Sequence, residues 1–273
     1  MNTRREAILR EMGLGPLWKL RDAPAEDLAV AEQPVQSETG AVFDGAPAAE
    51  YRAEAPSPLV APAADSAPAP VVPAAPASTV NSPAATMDWD ELEATIKSCK
   101  ACNLCRDRRQ AVPGVGDRQA DWLFVGEGPG AEEDEKGEPF VGQAGKLLDA
   151  MMAAIDIKRG EDVYIANAVK CRPPGNRTPE PEETAACWPY LQRQIALIKP
   201  KLIIALGRPA AQTLLQQEVK IGAARGHLHD YQGIPVIVTY HPAYLLRNLT
   251  DKAKAWEDLV LARRTMKQRK GND

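Results

Sequence analysis

Four short apolar runs, each followed by a stretch with helical spacing, predict an α/β fold: a three-layer α/β/α sandwich around a central four-stranded parallel sheet. The runs are residues 122–125, 163–167, 202–206 and 236–239, near-continuous in apolar side chains as strands buried on both faces must be. Two further observations point to a ligand. A glycine-rich turn, Gly126-Glu127-Gly128-Pro129-Gly130, follows the first run, and the second ends in a polar amide, Asn167. Both lie at the carboxyl edge of the sheet, where open α/β folds bind ligands.

The chain of 273 residues is unevenly composed. At its start, Thr3 and Glu6 have capping-box spacing, Ile8 and Met12 sit one turn apart, and Gly13 stands where a helix C-cap belongs. Residues 1–22 are therefore expected as a short helix that docks on a partner or packs back on its own domain. Residues 23–86 are rich in Ala and Pro, with Phe43 and Tyr51 as their only aromatics. Such a segment buries too little apolar surface to offset its chain entropy, so a disordered linker is expected. It carries eight acidic residues against Arg52 alone, a net charge of −7, which leaves +3 for the remainder of a chain whose total is −4. An acidic tether repels nucleic acid, whereas a mildly basic domain does not.

A folded domain is expected over residues 87–273, opening on a helix at about 88–98. Helices are also expected at 143–155, where Leu147, Leu148, Met151 and Met152 share a face, at 180–199 with Leu191, Ile195 and Ile198 inward, at 208–215, and from about 252 onward. The last ends in Arg263, Arg264, Lys267, Arg269 and Lys270, which reads best as a solvated helix end. No run of about 18 apolar residues and no secretory signal is present, so a cytoplasmic protein without membrane contact is expected. Five cysteines in a reducing compartment read as metal ligands or thiols. Cys99, Cys102 and Cys105 are evenly spaced, and Cys171 and Cys187 follow far along the chain. Four thiolates suit either zinc or an iron-sulfur cluster, and spacing leaves both open.

The turn GEGPG is neither a dinucleotide fingerprint nor a P-loop. Its company is more specific: Glu127, Glu132, Glu133 and Asp134 crowd it, and Phe140 precedes the next helix. GEGPGAEEDEKGEPFVGQAGKLL, together with VYIANAVKCRPPGNRTPEPEE from Val163 and HPAYLLRN from His241, resembles the family 4 uracil-DNA glycosylases, the iron-sulfur branch of that superfamily. The resemblance runs from about Trp89 to the C-terminus.

It implies a uracil-DNA glycosylase-like fold and a [4Fe-4S] cluster on Cys99, Cys102, Cys171 and Cys187, with Cys105 outside the ligand set. It also implies removal of uracil from single- and double-stranded DNA for base excision repair. Phe140 is then expected to stack on the flipped base, Asn167 to read O4 and N3–H of uracil, and Glu133 to wall off C5 and help orient water. His241 and the backbone N–H of Gly128 are expected to meet charge developing on O2. Gly128 stands where better-known uracil glycosylases carry an aspartate, so Glu127 and Glu133 are the candidate bases. Leu245 is expected as the wedge filling the vacated stack, and Arg247 as a phosphate contact. A monomer is expected, with residues 1–22 offered to a replication or repair protein. The competing class is a catalytically weak iron-sulfur DNA-binding or polymerase-accessory module.

Overall fold

The computed structural model describes residues 82–271; the expectations for residues 1–22 and for most of the linker lie outside them. Its sheet has six strands: β1 (Val115–Gly116), β2 (Trp122–Gly126), β3 (Val163–Asn167), β4 (Leu202–Leu206), β5 (Leu228–Tyr231) and β6 (Ile234–Thr239), in the order β1-β3-β2-β4-β6-β5. The four expected strands form its parallel centre, β3-β2-β4-β6. Two antiparallel edge strands were not foreseen. β1 is two residues long, and β5, reading LHDY, lacks the apolar run that marks the others.

Successive side chains of a strand point to opposite faces, and both faces here are covered. Leu123, Val125, Tyr164, Ala166, Ile203, Ala205, Val236 and Val238 pack against α4 (Pro181–Ile198) and α5 (Arg208–Leu215). Trp122, Phe124, Val163, Ile165, Leu202, Ile204 and Ile237 pack against α3 (Gln143–Ala153) and α8 (Lys252–Gly271). The result is the three-layer sandwich. The remaining helices are α1 (Trp89–Ser98), α2 (Ala131–Lys136), α6 (Ile221–Ala224) and α7 (Pro242–Leu245). α1 starts on a full capping box: the Glu91 N–H donates to Asp88 Oδ1 at 2.9 Å and the Asp88 N–H to Glu91 Oε2 at 3.1 Å.

Residues 83–86, assigned above to the linker, form a 3-10 turn capped by Ser82, and Ala84 is buried in a cluster with Leu92, Ile96 and Ala111. The described fold thus takes in residues 82–86, ahead of the boundary expected at position 87. Proline at the first turn made this stretch look like more linker, yet proline is also at home there.

The chain leaves β2 toward β3 on one side of the sheet and leaves β4 toward β6 on the other. A crevice therefore opens between the carboxyl ends of β2 and β4. Gly126 closes β2 and Gly207 follows β4 there, and β6 delivers His241 to the same edge.

Candidate active site and cysteine cavity

Register fixes the first pair of site residues, since Gly126 and Asn167 are direct partners at the ends of β2 and β3. A Cβ added to Gly126 would lie 2.4 Å from Asn167 Oδ1 and 2.6 Å from Phe140 Cζ, so amide and ring both press on that glycine. The Phe140 ring lies 5.5 Å from the His241 ring, tilted by 30°. Gly126, Phe140, Asn167 and His241 thus line one small site at the expected edge.

Each is held by something specific. Phe140 is buried and has φ 56°, a left-handed backbone that a bulky residue keeps only under constraint. Arg159 supplies it by donating to the carbonyls of Pro139 at 3.1 Å and Phe140 at 2.9 Å, while its guanidinium also binds Asp149. His241 caps α7: its Nδ1 accepts the Ala243 N–H at 3.1 Å, which leaves Nε2 to carry the proton of a neutral ring. Burial, and after it the Arg247 charge, push the His241 pKa down to about 4, with Glu133 opposing. The ring is neutral near pH 7 and offers one N–H.

Asn167 is 2% exposed, and its Oδ1 has no hydrogen-bond partner among the described residues. A buried polar atom left unsatisfied costs roughly 1–3 kcal/mol, so this one marks a place built for a donor to arrive. The Gly128 N–H also makes no hydrogen bond among the described residues. A Cβ there would sit 2.8 Å from Val169 Cγ2, which explains the glycine by close packing.

Two expectations need correction. Leu245 is 1% exposed and packs in the core beside α3, whereas Leu246 is 42% exposed. One turn of helix turns the residue four past His241 inward and leaves its neighbour Leu246, missed in the sequence, on the surface, as is Leu249. Glu133 is also committed elsewhere. Its Oε2 accepts the Gly130 N–H at 3.1 Å, and its Oε1 accepts those of Val141 at 2.9 Å and Gly142 at 3.1 Å. A carboxylate holding three backbone amides braces the loop that presents Phe140 and is ill placed to take a proton. Glu127 is different: burial raises its pKa, and a hydrogen bond with Thr178 and the charge of Arg208 pull the other way. Arg247 is exposed beside the site.

A second site lies behind the first. Cys99, Cys102, Cys105, Cys171 and Cys187 line one small cavity, about 10 Å³ in volume, between the loop after α1, the exit of β3 and the first turns of α4. Cys171 and Cys187 are buried and the other three partly so. Several donors converge on the sulfurs: Arg108 on Cys171 at 2.7 Å, Tyr190 on Cys99 at 3.3 Å, and the Lys170 N–H on Cys187 at 3.3 Å. Burial pushes the Cys187 thiol up to about 12 and raises Cys102 and Cys171 as well. Among the described residues no three His, Cys, Asp or Glu side chains close on a single ion. Five thiols around one cavity, with donors aimed at their sulfurs, have the chemistry of a site for a thiolate-held metal group. Cys105, expected outside the ligand set, lines the same cavity.

The chain matches the family model of the Uracil DNA glycosylase superfamily over residues 113–260. It is 44% identical over 185 residues to the Type-4 uracil-DNA glycosylase of Pyrobaculum aerophilum, covering 64% of this chain and 93% of the relative. The Type-4 uracil-DNA glycosylase of Thermotoga maritima is 46% identical over 177 residues, 63% of this chain and 92% of its own, and that of Archaeoglobus fulgidus is 46% identical over 165 residues, 58% and 82%. This chain belongs to the type-4 uracil-DNA glycosylases. The superfamily match takes in all six strands, Phe140, Asn167 and His241. Cys99 and Cys102 precede it, so the cysteine cavity of this type-4 uracil-DNA glycosylase joins residues inside and outside the superfamily match.

Proposed function

We propose that the pocket at the ends of β2, β3 and β6 receives a uracil flipped out of DNA. The chain is a uracil-DNA glycosylase, a hydrolase of N-glycosidic bonds that serves DNA repair. The observation that carries the pocket assignment is the orphaned Asn167 Oδ1, buried against Phe140 and Gly126. Uracil N3–H supplies the donor this oxygen lacks, and the amide N–H₂ donates to O4. Cytosine presents the opposite pattern at its 4-position and would leave buried groups unpaired. Phe140 stacks on the ring, and Glu133, which braces the turn at Gly142, is assigned to the wall beside C5 that excludes the extra methyl of thymine.

Cleavage breaks the bond between C1′ of the sugar and N1 of uracil, and the electron pair leaves with the base, placing charge on O2. His241 Nε2–H and the Gly128 N–H meet that oxygen. Water adds to C1′ and gives up a proton, for which Glu127, next in sequence to Gly126 and with a pKa raised by burial, is the assigned carboxyl. Leu246 fills the vacated stack and Arg247 binds a flanking phosphate. We assign Cys99, Cys102, Cys171 and Cys187 as holders of a [4Fe-4S] cluster, which when bound ties the 99–105 loop to β3 and α4. Residues 1–22 are assigned as a docking peptide for a replication or repair protein. Among the described residues no helix is long and apolar enough to cross a membrane.

Purified protein mixed with a uracil-containing oligonucleotide, single- or double-stranded, should release free uracil and leave an alkali-labile abasic site. Binding without release would instead favour an accessory DNA-binding module.

A further inference from the structure

Lys170 is 1% exposed, among the largest fully buried side chains of the domain. Its Nζ donates to the backbone carbonyl of Asn167 at 2.8 Å and to Gln194 Oε1 at 2.6 Å. Gln194, itself 0% exposed on α4, passes the contact on by donating from Nε2 to the Pro113 carbonyl at 2.9 Å and to the Tyr164 hydroxyl at 3.4 Å. The Lys170 main chain faces the other way. Its N–H donates to Cys187 Sγ, its carbonyl accepts the Val112 N–H at 2.8 Å, and Cys171 follows it in sequence. One residue therefore has its backbone in the wall of the cysteine cavity and its side-chain tip under the residue that closes β3.

The charged groups acting on this ammonium are Cys187 and Cys171, with no carboxylate among them. A buried cation without a counter-charge is expensive to hold. Thiolates gathered on an iron-sulfur cluster carry net negative charge and provide that counter-charge. Asn167 Oδ1 has no hydrogen bond among the described residues to orient it, so the direction of the side chain is inherited from its main chain and from Gly126 and Phe140 pressing on it.

We infer that Lys170 is a positioning residue for uracil recognition, a strut whose ammonium fixes the Asn167 carbonyl to Gln194 and so ties the cysteine cavity to the pocket. It touches neither base nor reacting bond. The inference rests on the assignment of Asn167 as the uracil reader.

The test uses full-length, cluster-loaded protein with Lys170→Met, and Gln194→Met as an independent break at the other end of the strut. Three quantities are read: iron content and absorbance at about 400 nm, affinity for a uracil-free oligonucleotide, and inhibition by free uracil beside the single-turnover rate. The expected result is unchanged iron and DNA affinity, with uracil inhibition weakened and the rate lowered, each by about tenfold or more in both variants. Normal uracil inhibition and rate in a loaded variant would overturn the strut. So would a loss of iron in Lys170→Met with normal uracil binding in loaded Gln194→Met. A parent protein that neither binds nor excises uracil would overturn the pocket assignment itself, which distinguishes the two failures.

Discussion

The strand-end pocket and the cysteine cavity share the short segment at residues 167–171, yet they are built in opposite ways. In the pocket, β-sheet register aligns Gly126 with Asn167, a helix cap sets the His241 tautomer, and Arg159 holds the Phe140 backbone. The cavity is walled by a loop, a strand exit and a helix turn, and burial pushes its thiols away from the thiolate form. Its donors, Arg108 and Tyr190 among them, are arranged for sulfur that carries charge. The difference is between a site set by backbone register and a few side-chain clamps and one made of buried thiols with donors aimed at their sulfurs.

The sharpest way to break that comparison is at the cysteines. Cys171→Ser or Cys187→Ser should abolish the absorbance at about 400 nm and bound iron, because metal binding to buried thiolates is folding energy for the segments that supply them. Cys105→Ser is expected to keep both; loss of iron there with retention in Cys99→Ser would exchange their roles.

Next in size come the pocket residues. Asn167→Ala and His241→Ala should each slow single-turnover cleavage by about 10²- to 10³-fold, with iron content unchanged and DNA affinity little altered because phosphate contacts dominate it. Weaker DNA binding at a parental cleavage rate would remove both residues from the active site.

A smaller effect separates two adjacent leucines. Leu246→Ala should lower activity on duplex DNA by about tenfold while sparing single strands, since only a duplex must be wedged open. Leu245→Ala should instead lower stability by about 2–5 kcal/mol, as loss of a buried leucine does. The converse pattern in denaturation and duplex assays would restore Leu245 as the wedge.

The smallest expected effect is none at all. His241 is held near 4, below its ordinary value of 6.5, so the folded ring stays neutral where an unfolded one takes up a proton. Its contribution to stability is therefore lost as pH falls from 6.5 through about 4, while the cleavage rate should show no His241 titration between about pH 8 and about pH 5. A His241 resonance titrating near 6.5 would contradict this.

Much of the comparison was legible in the sequence because it rests on local pattern. Continuous apolar runs marked the four parallel strands, and Phe140, Asn167 and His241 stand in motifs beside the strands that deliver them. What was hidden depends on direction or distance. Whether Leu245 or Leu246 faces outward depends on the setting of a single helical turn, which periodicity cannot fix. Glu133 looks alike in sequence whether it takes a proton or staples amides. Arg159 and Lys170 act through carbonyls 19 and 3 residues away, and backbone acceptors leave no mark in a side-chain pattern. β5 was missed because an exposed edge strand has no apolar run to show.

The left-handed backbone of Phe140 has a consequence for how a base is welcomed. Strain of roughly 1–3 kcal/mol is stored at such a residue before any ligand arrives, so the ring is already immobile and loses little freedom when something lies against it. Stacking onto a preformed, poorly hydrated apolar face releases heat more than it gains disorder. Capture of free uracil by this protein should therefore register in a calorimeter as an exothermic event, and relaxing the clamp with Arg159→Met should shift the balance toward an entropic penalty before it costs much affinity.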